Sequence, residues 1–167
     1  MRFGLSFFNK FLKSYSHLKD KKIIITGGTS GIGLSLVEHL LSLNAKLVIL
    51  SSRISNAELI KKQLLNKYKN AYIDLIEYNQ ASYESIDNAA EFIKRNHPDY
   101  YAVIFNAGVL NSNKNKLTKE GYPFTVGVNY LGTRRFIDKL KEDVDEEKIF
   151  VIQGSLIASL KLNKNDD

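Results

Sequence analysis

The chain has 167 residues, 44% of them hydrophobic and 25% charged, a balance that fits one ordinary folded domain and excludes a disordered or collagen-like polypeptide. It has no cysteine, and His17, His39 and His97 are too scattered to pair as ligands, so neither a disulfide framework nor a metal site is expected. The net charge of +6 raises a phosphate-binding surface, yet the cations are interleaved with asparagine in 61-KKQLLNKYK-69 and 114-KNKLTK-119. They read as solvated faces, and no nucleic-acid partner is expected.

The chain opens with 1-MRFGLSFFNKFLKSYSHL-18, in which Phe3, Phe7, Phe8, Phe11, Leu12, Tyr15 and Leu18 recur at three- and four-residue steps. That spacing predicts an amphipathic helix over 1–18, which either packs on the domain or lies on a membrane surface. Asn9 and Lys10 interrupt the apolar run and no small-residue cleavage site follows, so a signal peptide is not expected. No run approaches the ~18 apolar residues of a membrane span. The expected location is cytoplasmic, with peripheral membrane contact through this helix left open.

From Lys21 onward, apolar runs of strand length alternate with helix-period segments. Ile23–Ile25, Leu47–Leu50, Tyr72–Ile76, Ala102–Phe105 and Ile149–Ile152 read as strands. They are nearly continuous rather than alternating, as parallel strands buried on both faces must be. Ile32 to Leu43, Leu59 to Leu65, Ile86 to Ile93 and Phe124 to Leu140 mark four intervening helices. Strand followed by helix, repeated, predicts right-handed crossovers and a Rossmann-type doubly wound parallel α/β sheet of about five strands in the order 3-2-1-4-5. The low-order segments are the loop 111–119 and the polar tail 161-KLNKNDD-167.

The first strand runs into Thr26-Gly27-Gly28-Thr29-Ser30-Gly31-Ile32-Gly33 and then a helix. In that context free N–H groups and the positive end of the helix dipole face an anion, and glycine lets the backbone approach it, as a pyrophosphate requires. The spacing is Gly27-x3-Gly31-x-Gly33, not G-x-G-x-x-G.

This loop resembles the cofactor loop of the short-chain dehydrogenases/reductases, and three further blocks resemble that family in order. Asn106-Ala107-Gly108 follows the fourth strand. Gly121-Tyr122 with Val128-Asn129-Tyr130-Leu131-Gly132 is similar to the family's fourth-helix segment, in the form seen in the retinol-dehydrogenase and protochlorophyllide-reductase branch. Ile149–Ile152 with Gly154-Ser155 is similar to the fifth strand and its catalytic serine. The resemblance covers about residues 19–160 and marks them as a dinucleotide-binding domain. By this analogy Gly27, Thr29, Ser30, Gly31, Ile32 and Gly33 face the pyrophosphate, and Asn106, Ala107 and Gly108 wall the cofactor crevice where the fourth strand ends. Asn129, polar on an apolar helix face, needs a hydrogen-bond partner if buried; the family implies a water chain to a catalytic lysine.

An acid about 20 positions past the glycines would bind a ribose 2′-hydroxyl. Here the second strand ends Leu50-Ser51-Ser52-Arg53, and the fork of Arg53, beside Ser52, suits a phosphate, so NADP(H) is expected rather than NAD(H). Where the family has an aspartate near the adenine this chain has Asn79, followed by Gln80; the amide oxygen of Asn79 can accept from the adenine amino group.

The family moves hydride between nicotinamide and a small-molecule carbonyl or alcohol. It uses a serine that binds the substrate oxygen and a Tyr-x3-Lys pair that transfers the proton. Ser155 holds the serine place. The pair belongs a dozen or more residues later, and no tyrosine follows Ser155. Tyr15-x3-Lys19 precedes the first strand, and Tyr130 with Arg134 lies on the fourth helix, so neither substitutes. The chain is therefore expected to lack the family's last strands, to be inactive alone, and to associate with itself or a partner at an exposed fifth strand. A non-catalytic NADP(H)-binding sensor or partner subunit is the alternative; the glycine spacing disfavours a sugar-nucleotide epimerase.

Overall fold

The computed structural model describes residues 16–110, 113, 115–142 and 148–154. Residues 1–15 of the expected helix, Ser155 and the tail 161–167 lie outside these, as do positions 111, 112 and 114 of the loop. After a single 3₁₀ turn at Ser16–Leu18 the order is β1 (Lys22–Thr26), α1 (Gly31–Ser42), β2 (Lys46–Ser51), α2 (Ile54–Lys67), β3 (Ile73–Glu77), α3 (Tyr83–Asn96), β4 (Ala102–Phe105), a helix α4 over 124–141, and β5 (Ile149–Ile152). All pairings are parallel, and the sheet runs β3-β2-β1-β4-β5, the predicted order. β3 begins one residue later than expected: Tyr72 stays exposed before the strand, with its carbonyl accepting the Leu47 N–H at 2.9 Å.

The apolar runs are continuous because each strand feeds two cores. Ile24, Val48, Leu50, Val103 and Phe105 point to the face covered by α3 and α4, where they meet Ile86, Ile93, Phe136 and Leu140. Ile23, Ile25, Leu47 and Ile49 point to the other face, against Val37, Leu40 and Leu41 of α1 and Leu64 of α2. Neighbouring residues of one strand thus leave water on opposite sides. Phe136 is fully buried, with its ring 4.9 Å from Tyr78 and edge-on to Phe105 at 5.9 Å.

α4 departs from the uninterrupted helix that its periodicity predicts. It runs as Phe124–Val126, widens into a π-helical turn over Gly127–Gly132, and resumes at Thr133–Lys141. The close packing at this turn is possible because of glycine. A Cβ on Gly132 would stand 2.3 Å from the Gln80 carbonyl oxygen, and one on Gly127 would stand 2.2 Å from Thr118 Cγ2. On the outer side α4 is tied to α3 by Arg135, which donates to Asp87 through two bonds of 2.8 and 2.6 Å while stacking 4.4 Å over the Tyr83 ring.

β5 pairs with β4 through Ala102↔Ile149 to Phe105↔Ile152. Phe150 stacks on Phe105 at 5.9 Å, whereas Ile149, Val151 and Ile152 are exposed. Among the described residues no helix is long and apolar enough to cross a membrane, and no cluster of His, Cys, Asp or Glu could hold a metal.

Two outcomes follow for stability. Phe136→Ala should cost about 3–5 kcal/mol, the range for emptying a buried aromatic site, read as a shift of the urea midpoint. The hydrogen bond from Arg135 chiefly holds the Asp87 carboxyl below its usual range, against an opposing desolvation. A depressed acid stabilises the fold above its unfolded pKa of about 3.9 and loses that contribution as pH falls through the folded value. Asp87→Asn should therefore cost about 1 kcal/mol at pH 7, solvent screening included. Its deficit against the parent should narrow as urea melts are repeated toward pH 3.

Candidate functional site

The site begins with a hydroxyl at the end of β1. Thr26 is fully buried, and its Oγ1 accepts the N–H groups of Asn106 at 3.1 Å and Ala107 at 3.0 Å. Asn106 returns the contact: its Nδ2 donates to the carbonyls of Thr26 and Gly27, each at 3.2 Å. The loops after β1 and β4 are thereby stapled side by side. Gly33 permits this closeness, since a Cβ there would lie 2.1 Å from the Gly27 carbonyl and 2.5 Å from Asn106 Nδ2. Gly31 is different. Nothing lies within 4 Å of its missing Cβ, and glycine is favoured there by its left-handed φ of +52°.

A cleft of about 420 Å³ opens along the carboxyl ends of the strands, the place where open parallel sheets take ligands. Of the expected residues, it is lined by Gly27, Thr29, Ser30, Ile32 and Gly33 from the glycine loop, and by Ser52 and Arg53 after β2. Asn79 and Gln80 line it after β3, and Asn106, Ala107 and Gly108 after β4. Gly31 does not line it, and neither does Asn129, although its neighbour Val128 does. Ser155 lies outside the described residues; Gln153, two positions earlier, lines the cleft and continues the β4 ladder, its N–H donating to Phe105 O at 3.0 Å. Leu50, Tyr78, Val109, Phe124 and Gln153 were not expected here. Phe124, Gln153 and Tyr78 carry no motif, and Leu50 reads as a plain strand residue.

The electrostatics are one-sided. No lining residue is acidic, and Arg53 is the cation among them. It is exposed at the mouth, where its backbone N–H is held by Ser51 Oγ at 3.3 Å. It also occupies the N-cap of α2, as Ser30 does for α1; neither helix has a side-chain cap or an acid in its first turn. Two uncapped helix N-termini and one guanidinium make this end of the cleft a place for phosphate charge.

The asparagines and the glutamine behave differently from one another. Asn79 Oδ1 already accepts the Ala81 N–H at 3.0 Å, which leaves one lone pair and the amide nitrogen for a ligand. Gln80 is buried, and its Nε2 donates to Val128 O at 2.7 Å and Thr133 Oγ1 at 2.9 Å, with a longer contact of 3.5 Å to Ala107 O of the cleft wall, so its hydrogens are spent inside the protein. Its Oε1 accepts the Tyr78 hydroxyl at 3.3 Å, and burial pushes that phenol far above its ordinary pKa. Asn129 is exposed rather than buried. Its amide takes both backbone groups of Val109, accepting the N–H and donating to the carbonyl, each at 2.8 Å.

The arrangement can hold a phosphate-bearing dinucleotide along the strand ends, and known proteins with this architecture agree. The family model described as short chain dehydrogenase matches residues 21–153. Polyprenol dehydrogenase from Homo sapiens is 32% identical over 127 residues, which are 74% of this chain and 38% of that protein. The chloroplastic short-chain dehydrogenase TIC 32 A from Brassica napus is 33% identical over 136 residues, 78% of this chain and 42% of the relative. The chain thus spans about two fifths of the length of these relatives. Among solved structures, gox2181 superposes with a TM-score of 0.75 at 18% identity, over 91% of this chain and 60% of that one. A short-chain dehydrogenase from Sphingobium yanoikuyae, solved in complex with NADPH, gives a TM-score of 0.69 at 19% identity over 83% of this chain and 55% of its own. With the family model reaching from the start of β1 to the end of β5, the chain belongs to the short-chain dehydrogenase family.

Proposed function

We propose that residues 1–167 form the NADP(H)-binding part of an oxidoreductase that acts on a small-molecule carbonyl or alcohol. The observation that carries this reading is a cleft without a single lining carboxylate and with Arg53 at its mouth, where β2 ends. An NAD-binding site of this architecture places an acid there to accept a ribose hydroxyl. A guanidinium with no carboxylate partner among the described residues favours a 2′-phosphate instead.

On this reading Thr29, Ser30 and the backbone N–H groups opening α1 receive the pyrophosphate, with Gly31 and Gly33 keeping the loop low. Ser52 and Arg53 hold the 2′-phosphate, and Asn79 flanks the adenine, with its ring side toward the backbone near Gln80. Ile32, Asn106, Ala107 and Gly108 wall the opposite end, and Asn129 secures that wall through Val109. The bound cofactor supplies or accepts hydride. Ser155 donates a hydrogen bond to the substrate oxygen. The family's proton-transferring Tyr-x3-Lys pair follows that serine, and none of residues 156–167 is a tyrosine.

Calorimetric titration tests the cofactor. NADPH should bind residues 1–167, and Arg53→Ala should weaken it roughly ten- to a hundredfold, the worth of a charge-assisted phosphate contact, while leaving NADH nearly unchanged. Equal losses for both cofactors, or no NADPH binding at millimolar concentration, would overturn the proposal. Residues 1–167 alone should oxidise no NADPH in the presence of an aldehyde and ketone panel, because positioned general acid catalysis is worth about 10²–10⁴ in rate. Robust turnover would show that another group moves the proton.

A further inference from the structure

The π-helical turn of α4 is held from outside the helix. A helix that widens from i+4 to i+5 bonding displaces carbonyls from their usual donors, and such turns are rare and cluster at functional positions. Here Val128, inside the turn, has its carbonyl met by Gln80 Nε2 at 2.7 Å, and the second hydrogen of the same nitrogen reaches Thr133 Oγ1 just past the turn at 2.9 Å. Tyr78 fixes which way the amide faces by donating to its oxygen. Gly132 brings the helix backbone against the Gln80 carbonyl. Inside the turn Asn129 grips both backbone groups of Val109, the residue after Gly108. A one-residue change of helical register rotates a side chain by about 100°, enough to carry Asn129 off Val109.

We propose that Gln80 is a positioning residue: it stands in the loop at the adenine end of the cleft but sets the geometry of the opposite wall, through the π-turn, Asn129 and Val109. This rests on the dinucleotide reading above. Because both amide hydrogens of Gln80 are used inside the protein, its side chain makes no donor contact to the ligand, and its loss is felt at the far end of the cleft.

The test uses Gln80→Met in residues 1–167, a substitution that keeps length and volume and removes the donor. In the protein without cofactor, amide exchange followed by NMR should accelerate at Val109, whose N–H is held by Asn129, and stay unchanged at Gly27, whose N–H is held by Leu50 O at 3.1 Å. NADPH should then bind about fivefold more weakly, the scale of one lost buried hydrogen bond, while 2′,5′-ADP, which lacks the nicotinamide half, should bind as in the parent. Unchanged exchange at Val109 in the folded variant, or equal losses for the two ligands, overturns the proposal. If Gln80→Met does not fold, Thr133→Val removes one of the acceptors of the Gln80 amide and is read the same way. A parent chain that binds neither ligand defeats the dinucleotide reading, while the exchange measurement still decides the role of Gln80.

Discussion

A single buried hydroxyl joins the two strand ends that define the cleft. Thr26 Oγ1 takes two backbone N–H groups from the loop after β4, and Asn106 answers with two bonds to the loop after β1. An unsatisfied polar group at this depth would cost more than each bond yields, so the four contacts stand or fall together. The position of the glycine loop, the close passage of Gly33 under it and the opening of α1 toward the cleft all depend on this joint. The joint also explains why Asn106 works mainly on the protein: its amide nitrogen is spent on two carbonyls before any ligand arrives.

The far wall of the cleft is built by the same means from a different direction. Asn129 does for Val109 what Asn106 does for the Gly27 carbonyl, supplying a side-chain amide to a loop backbone. α4 can present that amide because it is anchored at three places: by Phe136 in the core, by Arg135 on Asp87 and Tyr83, and by Gln80 at the π-turn. The charge pattern is laid over this frame without disturbing it, since the cation at the mouth and the two helix N-termini lie on the β1 and β2 side, away from the anchored helix.

The sheet was legible in the sequence because parallel strands with two buried faces leave continuous apolar runs, and here all five runs are strands. The glycine loop and the strand-end residues Ser52, Arg53 and Asn106 to Gly108 were legible as well, since a doubly wound sheet brings strand carboxyl ends to one crevice. The π-turn was not. Gly127 and Gly132 sit at positions that a helix tolerates, and what makes them necessary is the approach of Thr118 and of the Gln80 carbonyl, which periodicity does not show. The backbone of Val109 as a partner of Asn129 was not legible for a similar reason, because the two residues meet only through the fold. Phe124 and Gln153 reach the cleft only through the path of the chain across the sheet.

The all-parallel pairing has a consequence for the order in which the site comes into being. β1, β2 and β3 with α1 and α2 join through successive short crossovers. β4, by contrast, must find β1 across a long loop, and the bond from Asn106 Nδ2 to Gly27 O joins residues 79 apart in sequence. Closing such a loop is entropically costly and kinetically late. The first half of the chain can therefore collapse while the cleft still has one wall and the glycine loop is not yet joined to Asn106. A ligand that needs both walls recognises only chains that have completed this closure, and so acts on the folding equilibrium as a selective trap for the finished sheet.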